Sequence, residues 1–506
     1  MSNPLYDALF EPHKNNEACF LITDEGEQLS FRQFVGMAAQ IAHVLRNAGV
    51  KPGDRIAVQA PKRVETLALY AASVQTGAVY LPLNTGYTLS ELSYFISDAA
   101  PALVICQDKA EEGLSPVASA AGAALLTLNA DGTGSLTAQS KDQPTEFATA
   151  YRAPDDLAAL LYTSGTTGRS KGAMLSHENL LSNATALAGL WQISSSDTLI
   201  HALPIFHTHG LFVAVNTSLI AGACMRFMSR FDIDQVIEAL PGATTMMGVP
   251  TFYTRLLADA RFSRDITGSM RLFVSGSAPL LAETHEAFEE RTGHRILERY
   301  GMTETNMNTS NPYEGERKPG SVGFPLAGTE VKIVDSNTGE EMEPGGVGMI
   351  EVRGPNVFSG YWNMPEKTAE ELRVSGFFIT GDLGQIDAEG YLSIVGREKD
   401  LIITGGYNVY PIEVEDEINQ VSGVVESAVF GVPHGDFGEA VIAAVVTAPG
   451  ATLDTAELSQ IVSERLARYK HPKRYVFVAE LPRNTMGKVQ KNLLRETWAN
   501  LLSEPV

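Results

Sequence analysis

Thr163-Ser-Gly-Thr-Thr-Gly-Arg-Ser-Lys171 is the stretch that decides how this chain is read. Thr163, Ser164, Thr166 and Thr167 supply hydroxyl donors, Gly165 and Gly168 leave backbone N–H groups uncovered, and Lys171 adds a cation. A polyphosphate is bound by that combination of donors and positive charge. The apolar residues 157–162 before the loop read as a buried strand, and the residues from Ser176 onward read as a helix. The Walker A pattern is excluded, because Lys171 follows Ser170 and precedes Gly172 instead of leading into Ser or Thr after Gly-Lys. The competing reading is a polar surface loop.

The surrounding chain narrows the choice. With 506 residues, 44% apolar and 19% charged, it is long enough for more than one core and too apolar to be disordered. Acidic residues outnumber basic ones by 60 to 38, a net charge of −22. That field repels nucleic acid and anionic membrane, so neither is an expected partner. An anionic small molecule then needs a local basic pocket. Cys19, Cys106 and Cys224 are odd in number and lie far apart, with neither metal spacing nor a disulfide framework, which points to a reducing cytoplasm. No signal-peptide pattern opens the sequence, and the apolar stretch 211–225 is broken by Asn216, Thr217 and Ser218.

Helical periodicity at 30–47 and 64–77 alternates with strand-like runs at 55–60, 78–83 and 102–106. The predicted fold is α/β: a large N-terminal domain of mainly parallel sheets covered by helices. Residues 107–150, rich in Ala, Ser, Gly and Thr, read as a peripheral region. Short strands at 331–334, 348–352 and 391–395 predict a β-rich subdomain. Beyond Gly396-Arg-Glu-Lys-Asp400 the pattern becomes a small α+β segment. The expected domains are therefore 1–398 and 399–506.

Further motifs follow the first loop: Leu297-Glu-Arg-Tyr-Gly-Met-Thr-Glu304, Phe378-Ile-Thr-Gly-Asp382 with Gly396-Arg397, Thr404-Gly-Gly-Tyr-Asn-Val-Tyr-Pro411, and Pro482-Arg-Asn-Thr-Met-Gly-Lys488. In this order, over essentially the whole chain, they resemble the adenylate-forming superfamily of acyl-CoA synthetases, peptide-synthetase adenylation domains and luciferases. The resemblance implies ATP, Mg²⁺ and coenzyme A as partners in a two-step reaction. A carboxylate attacks the α-phosphate of ATP, and a thiol then displaces AMP. It assigns the 163–171 loop to the β- and γ-phosphates, Thr303 to the α-phosphate and Glu304 to Mg²⁺. Tyr300, with Gly301 after it, is assigned to the adenine face, Asp382 to the ribose hydroxyls, and Arg397 to a ribose or phosphate contact. Lys488 is assigned to the developing charge at phosphorus. Lys399 is the expected hinge of a mobile C-terminal domain, and Gly405-Gly406 the expected lining of a pantetheine tunnel. Taken singly, each has a plainer reading: Glu304 as a helix-start carboxylate, Asp382 as a turn residue, Lys488 as a solvated cation.

The acid substrate is read from the residues between the motifs. Arg299 stands before Tyr300-Gly301, and Ser277 lies in Val274-Ser-Gly-Ser-Ala-Pro279. A buried arginine is costly unless an anion pairs with it, and a second carboxylate on the substrate provides that anion. Arg255 is a second candidate clamp and His207 a candidate donor; a helix-surface cation and a structural histidine are their alternatives. The run Glu298–Thr305 is similar to that of malonyl-CoA synthetases, which implies malonate as the acid, with methylmalonate as a secondary substrate. Other readings are a ligase for another small, medium-chain or aryl acid, a freestanding adenylation domain, and a non-catalytic nucleotide sensor. The resemblance also implies a protein acetyltransferase and a deacylase acting on Lys488.

Overall fold

The computed structural model describes residues 2–163, 170–336, 338–434, 437–451, 453–484 and 487–502. Ser164, Gly165, Thr166, Thr167 and Gly168 of the expected phosphate loop lie outside the described residues.

Helices begin where the sequence supplies caps. Ser30 and Gln33 form a capping box ahead of Phe31–Asn47, Thr88 and Glu91 do the same for Leu89–Ala99, and Ser176 and Asn179 for His177–Leu190. Each box satisfies N–H groups that the first helical turn leaves unpaired. Val64–Thr76 stops at Gly77, whose φ of 74° places it in the left-handed region.

The elements build two large sheets. A six-stranded sheet runs in the order Ala124–Thr127, Leu103–Cys106, Arg55–Val58, Val79–Pro82, Leu157–Thr163, Lys171–Ser176, and only the last pair is antiparallel. A nine-stranded sheet carries Cys224–Phe227, Thr198–His201, Thr245–Gly248, Leu272–Ser275 and Leu297–Met302 as parallel neighbours, with antiparallel strands at both ends. One continuous apolar core joins the two sheets and takes in Phe20, Phe31, Phe34, Tyr70 and Phe212. The predicted β-rich part is a four-stranded antiparallel sheet, Glu330–Val334, Gly348–Arg353, Phe378–Ile386 and Leu392–Arg397.

From Ile402 onward the chain forms a separate five-stranded sheet with apolar clusters on both faces. One cluster centres on Ile402, Val414, Ile418 and Val441, the other on Phe430, Ile442, Leu481 and Leu494. The fold is therefore the α/β arrangement expected, with a large N-terminal part and a small α+β C-terminal part.

The structure adds detail to two readings. The helix expected from Ser176 onward is His177–Leu190, and ahead of it Lys171–Ser176 forms a strand antiparallel to Leu157–Thr163, with Thr163 paired to Lys171. The two strands that flank the loop thus pair antiparallel. Lys171-Gly-Ala-Met-Leu-Ser is short and half-apolar, and the strong cap at Ser176 masks it. The 107–150 region is peripheral but structured, with helices Asp108–Ala120 and Ser135–Ser140 and the edge strand Ala124–Thr127. Its alanines are good helix formers, and Leu114 and Ala118 anchor the first helix to the core. Among the described residues no helix is long and apolar enough to cross a membrane.

Candidate active site

The site gathers where strand ends of the nine-stranded sheet meet the four-stranded sheet. Leu297–Met302 turns through Thr303 and Glu304 into the antiparallel strand Asn306–Ser310. The tightness of that turn fixes Gly301: a Cβ there would lie 1.8 Å from the Asn306 carbonyl oxygen. Thr303 is half-buried at the tip. Glu304 is buried, and the Phe358 N–H donates to its carbonyl. Its carboxyl oxygen Oε1 lies 3.1 Å from the Tyr361 hydroxyl, and burial pushes its pKa up.

Asp382 and Arg397 are cross-strand neighbours, and Arg397 Nε lies 2.9 Å from Asp382 Oδ1. The Tyr300 hydroxyl donates to Asp382 Oδ2 at 2.6 Å, and burial beside that carboxylate holds the phenol well above its ordinary pKa. Each carboxylate oxygen can accept more than one hydrogen bond, so Asp382 keeps acceptor capacity for a ligand. The carboxylate in turn raises the pKa of Arg397.

Lys488 comes to this group from the far end of the chain. Its N–H donates to Asn484 Oδ1 at 2.9 Å, and Gly487, with φ 75°, stands against the Thr251 side chain on helix Pro250–Ala258. Burial, with Arg397 and Lys399 nearby, pushes the Lys488 ammonium down to about 8, while Asp382 and Asp400 oppose the shift. An amine at that value stays mostly charged at neutral pH and loses its charge just above.

Lys171 is not free in its loop. Its Nζ lies 3.1 and 3.2 Å from the two carboxylate oxygens of Glu371 and 4.1 Å from the centre of the Tyr361 ring. Sequence reasoning missed Tyr361 and Glu371, since nothing local marks a partner 200 residues away.

A second group of buried polar side chains gathers at Arg299. The residue is 3% exposed, and its Nε and Nη2 have no hydrogen-bond partner among the described residues. The neighbouring acid does not supply one. Alternation along the strand sends Glu298 to the other face, where its Oε1 accepts from the Leu280 N–H and burial pushes its pKa up to about 8. Burial pushes Arg299 down to about 9. Gly276 makes room for the guanidinium, because a Cβ there would lie 2.4 Å from Arg299 Cζ. Ser277, in the left-handed region at φ 73°, places its Oγ 3.2 Å from His209 Nδ1. His207 accepts from the His209 N–H, and burial beside Arg299 pushes it down to about 4, so the ring is neutral. His209 Nε2 is buried without a partner among the described residues. His209, two residues beyond the candidate donor His207, therefore belongs with Arg299, Ser277 and His207.

Other expected residues stand elsewhere. Arg255 is exposed, one turn beyond Thr251 on helix Pro250–Ala258, and forms no ion pair among the described residues. The same helix turns Tyr253 inward, to the neighbourhood of Arg299. Arg255 is thus on the face turned toward Gly487 and not packed with Arg299. Gly405 and Gly406 are exposed and link the strands Ile402–Thr404 and Tyr407–Val409. Their φ values of 57° and 82° suit a two-residue hairpin turn of type I′, a local reason for the glycine pair.

The donor set fits magnesium. Glu304 is a buried carboxylate held by one hydroxyl, and no cluster of three or more acidic, His or Cys side chains suited to a metal occurs among the described residues. Mg²⁺ commonly binds through one or two carboxylates plus substrate phosphates, so a full protein cage is not needed.

Residues 10–362 match the AMP-binding enzyme family, and residues 413–488 match the C-terminal domain of AMP-binding enzymes. The chain is 55% identical to MatB from Rhodopseudomonas palustris, covering 99% of this chain and 100% of that one. The TM-score is 0.98 against the ATP-bound crystal structure and 0.86 against the apo structure. It is also 35% identical to a long-chain-fatty-acid–CoA ligase from Bacillus subtilis, over 94% of this chain and 91% of that protein. With a malonate–CoA ligase from Arabidopsis thaliana it shares 32% identity, over 98% and 89% respectively. Motif order, fold and full-length similarity agree that this chain belongs to the AMP-binding enzyme family.

Proposed function

We propose that this protein is an AMP-forming malonate–CoA ligase, converting malonate, ATP and coenzyme A into malonyl-CoA, AMP and pyrophosphate. The observation that carries the choice of acid is Arg299, a buried guanidinium with two N–H groups unpaired among the described residues. An uncompensated buried charge costs on the order of 3–5 kcal/mol, so such a group is kept where a ligand supplies its partner. The distal carboxylate of malonate fits it as a bidentate anion, and the neutral His207, with Ser277 and His209 beside it, adds uncharged hydrogen-bonding groups.

The reacting carboxylate then points toward Lys488. Thr163 and Lys171, with the loop they close, take the β- and γ-phosphates, and Thr303 takes the α-phosphate. Glu304 would hold Mg²⁺, which neutralises phosphate charge when bound. Tyr300 and Gly301 form the adenine side, while Asp382 and Arg397 hold the ribose. Lys488 stabilises the negative charge that builds as the carboxylate attacks phosphorus. The likeness to the ATP-bound rather than the apo form of MatB, and Lys488 beside Asp382 and Arg397, fit the adenylate-forming pose. Rotation about Lys399, between domains 1–398 and 399–506, would withdraw Lys488 and bring Gly405 and Gly406 to the thiol. Reversible acylation of Lys488 by a cellular acetyltransferase and deacylase would switch the first step off, because it removes the ammonium. A cytoplasmic location suits all of these partners.

The test is AMP formation with acetate, malonate, methylmalonate, succinate, octanoate and benzoate, using wild type and Arg299→Ala. Wild type should prefer malonate, and the substitution should lower malonate kcat/KM by about 10²- to 10³-fold while acetate turnover changes little. Equal losses on both acids would refute the clamp, and a preference for octanoate or benzoate would refute the choice of acid.

A further inference from the structure

Lys171, the lysine read here as a polyphosphate contact, already has an anion. Both Glu371 oxygens lie within 3.2 Å of its Nζ, and the side chains of this pair are only 18% and 22% exposed. Glu371 ends helix Pro365–Glu371 and has other partners. The Tyr361 hydroxyl donates to its Oε2 at 2.6 Å, and Lys367 Nζ lies 3.0 Å from its Oε1. Tyr361 is itself fixed. Its backbone bridges to Ala173 on the strand that Lys171 opens, the Met174 N–H donates to the Gly360 carbonyl, and the Trp362 N–H to the Gly172 carbonyl. The same hydroxyl lies 3.1 Å from Glu304. A single rigid segment thus holds the carboxylate against the lysine.

We propose that Glu371 is a place-holding anion for Lys171, which the polyphosphate displaces on binding and which reclaims the lysine as pyrophosphate leaves. Glu371 is therefore a positioning residue that acts through Lys171. Lys367 and Tyr361 make the exchange feasible. When Lys171 turns to a phosphate, Glu371 keeps a cation and a hydroxyl donor, so no half-buried charge is stranded. Lys171 is never unpaired either, and it stays extended beside Tyr361 instead of folding back onto another acid of this strongly acidic chain. Pyrophosphate, which carries more charge than this lysine alone can neutralise, then leaves against a competitor already in place.

The exchange predicts an affinity change of opposite sign to that of a merely structural ion pair. Binding of ATP, and separately of pyrophosphate, is measured by titration calorimetry without acid substrate or Mg²⁺, so the readout does not depend on turnover. Glu371→Gln should tighten both ligands by about three- to tenfold, since a competing anion is removed. Unchanged or weaker binding overturns the proposal. Lys171→Met should weaken ATP binding, and in that background Glu371→Gln should no longer tighten it. Tightening that persists without Lys171 would make Glu371 a general repulsive charge and overturn the exchange. Lys171→Met binding ATP like wild type would instead overturn the reading of Lys171 as a phosphate contact. If Glu371→Gln does not fold, Glu371→Asp, which retracts the carboxylate by one methylene, should give part of the tightening; weaker binding overturns the proposal there too.

Discussion

Arg299 and Arg397 both lie on strands beside the site, the first buried and the second half-buried, yet their surroundings are opposite. Arg397 faces Asp382 across a strand pair, and the carboxylate raises its pKa. Arg299 has no carboxylate within ion-pair distance among the described residues, and burial lowers its pKa to about 9. The first arrangement is complete without a ligand; the second is complete only with one. Paired charge at Asp382 and Arg397 gives a rigid frame, whereas the unpaired charge of Arg299 carries a cost that, on the proposed function, the correct anion relieves.

That contrast can be broken by stability measurements. Arg397→Met strands the buried Asp382 and should lower unfolding stability by about 2–4 kcal/mol, whereas Arg299→Met removes an unpaired charge and should leave stability unchanged or raise it by about 1–3 kcal/mol. Denaturant unfolding of both variants checks this, and a large loss in Arg299→Met would mean that the arginine is structurally paired after all. Ligand protection sharpens the comparison. Malonate at about 100 times its Kd should stabilise wild type and Arg397→Met by about 2.7 kcal/mol, read as a rise in Tm, and should leave Arg299→Met unmoved. Equal protection of both variants would place the acid elsewhere.

The smallest effect concerns the third cation. Lys488, pushed down to about 8, carries its charge below that pH and loses it above. Adenylate formation, followed as kcat/KM for ATP, should therefore fall by about tenfold per unit once pH passes 8. Arg397, whose pKa Asp382 raises, stays charged throughout that range, so a flat profile to about pH 9 would assign the charge stabilisation to Arg397 instead.

Much of this was legible from local chemistry. Ser30 and Gln33 announce the helix Phe31–Asn47, and Arg299 stands out because an arginine expected to be buried needs an anion. The strand Lys171–Ser176 was hidden because its pairing with Leu157–Thr163 is set by tertiary contact, not by periodicity. Glu371 and Tyr361 were invisible for a similar reason: a glutamate at the end of a short helix looks solvated until the fold brings Lys171 to it. His209 carries no signal in the sequence because a histidine in an apolar run usually makes local bonds, and only the unpartnered Nε2 near Arg299 sets it apart. Gly276 carried no signal, since the space it leaves is defined by a side chain that comes from another strand.

The residues around the acid, from His207 to Arg299, all come from the nine-stranded sheet and its connections, while Lys488 arrives on a unit with its own sheet and its own apolar clusters. On the proposed reading, the lysine that activates the acid therefore lies on a different unit from the residues that choose it. Substitutions around Arg299 leave the unit that carries Lys488 untouched, so a lineage can acquire a new acid while keeping that lysine in place.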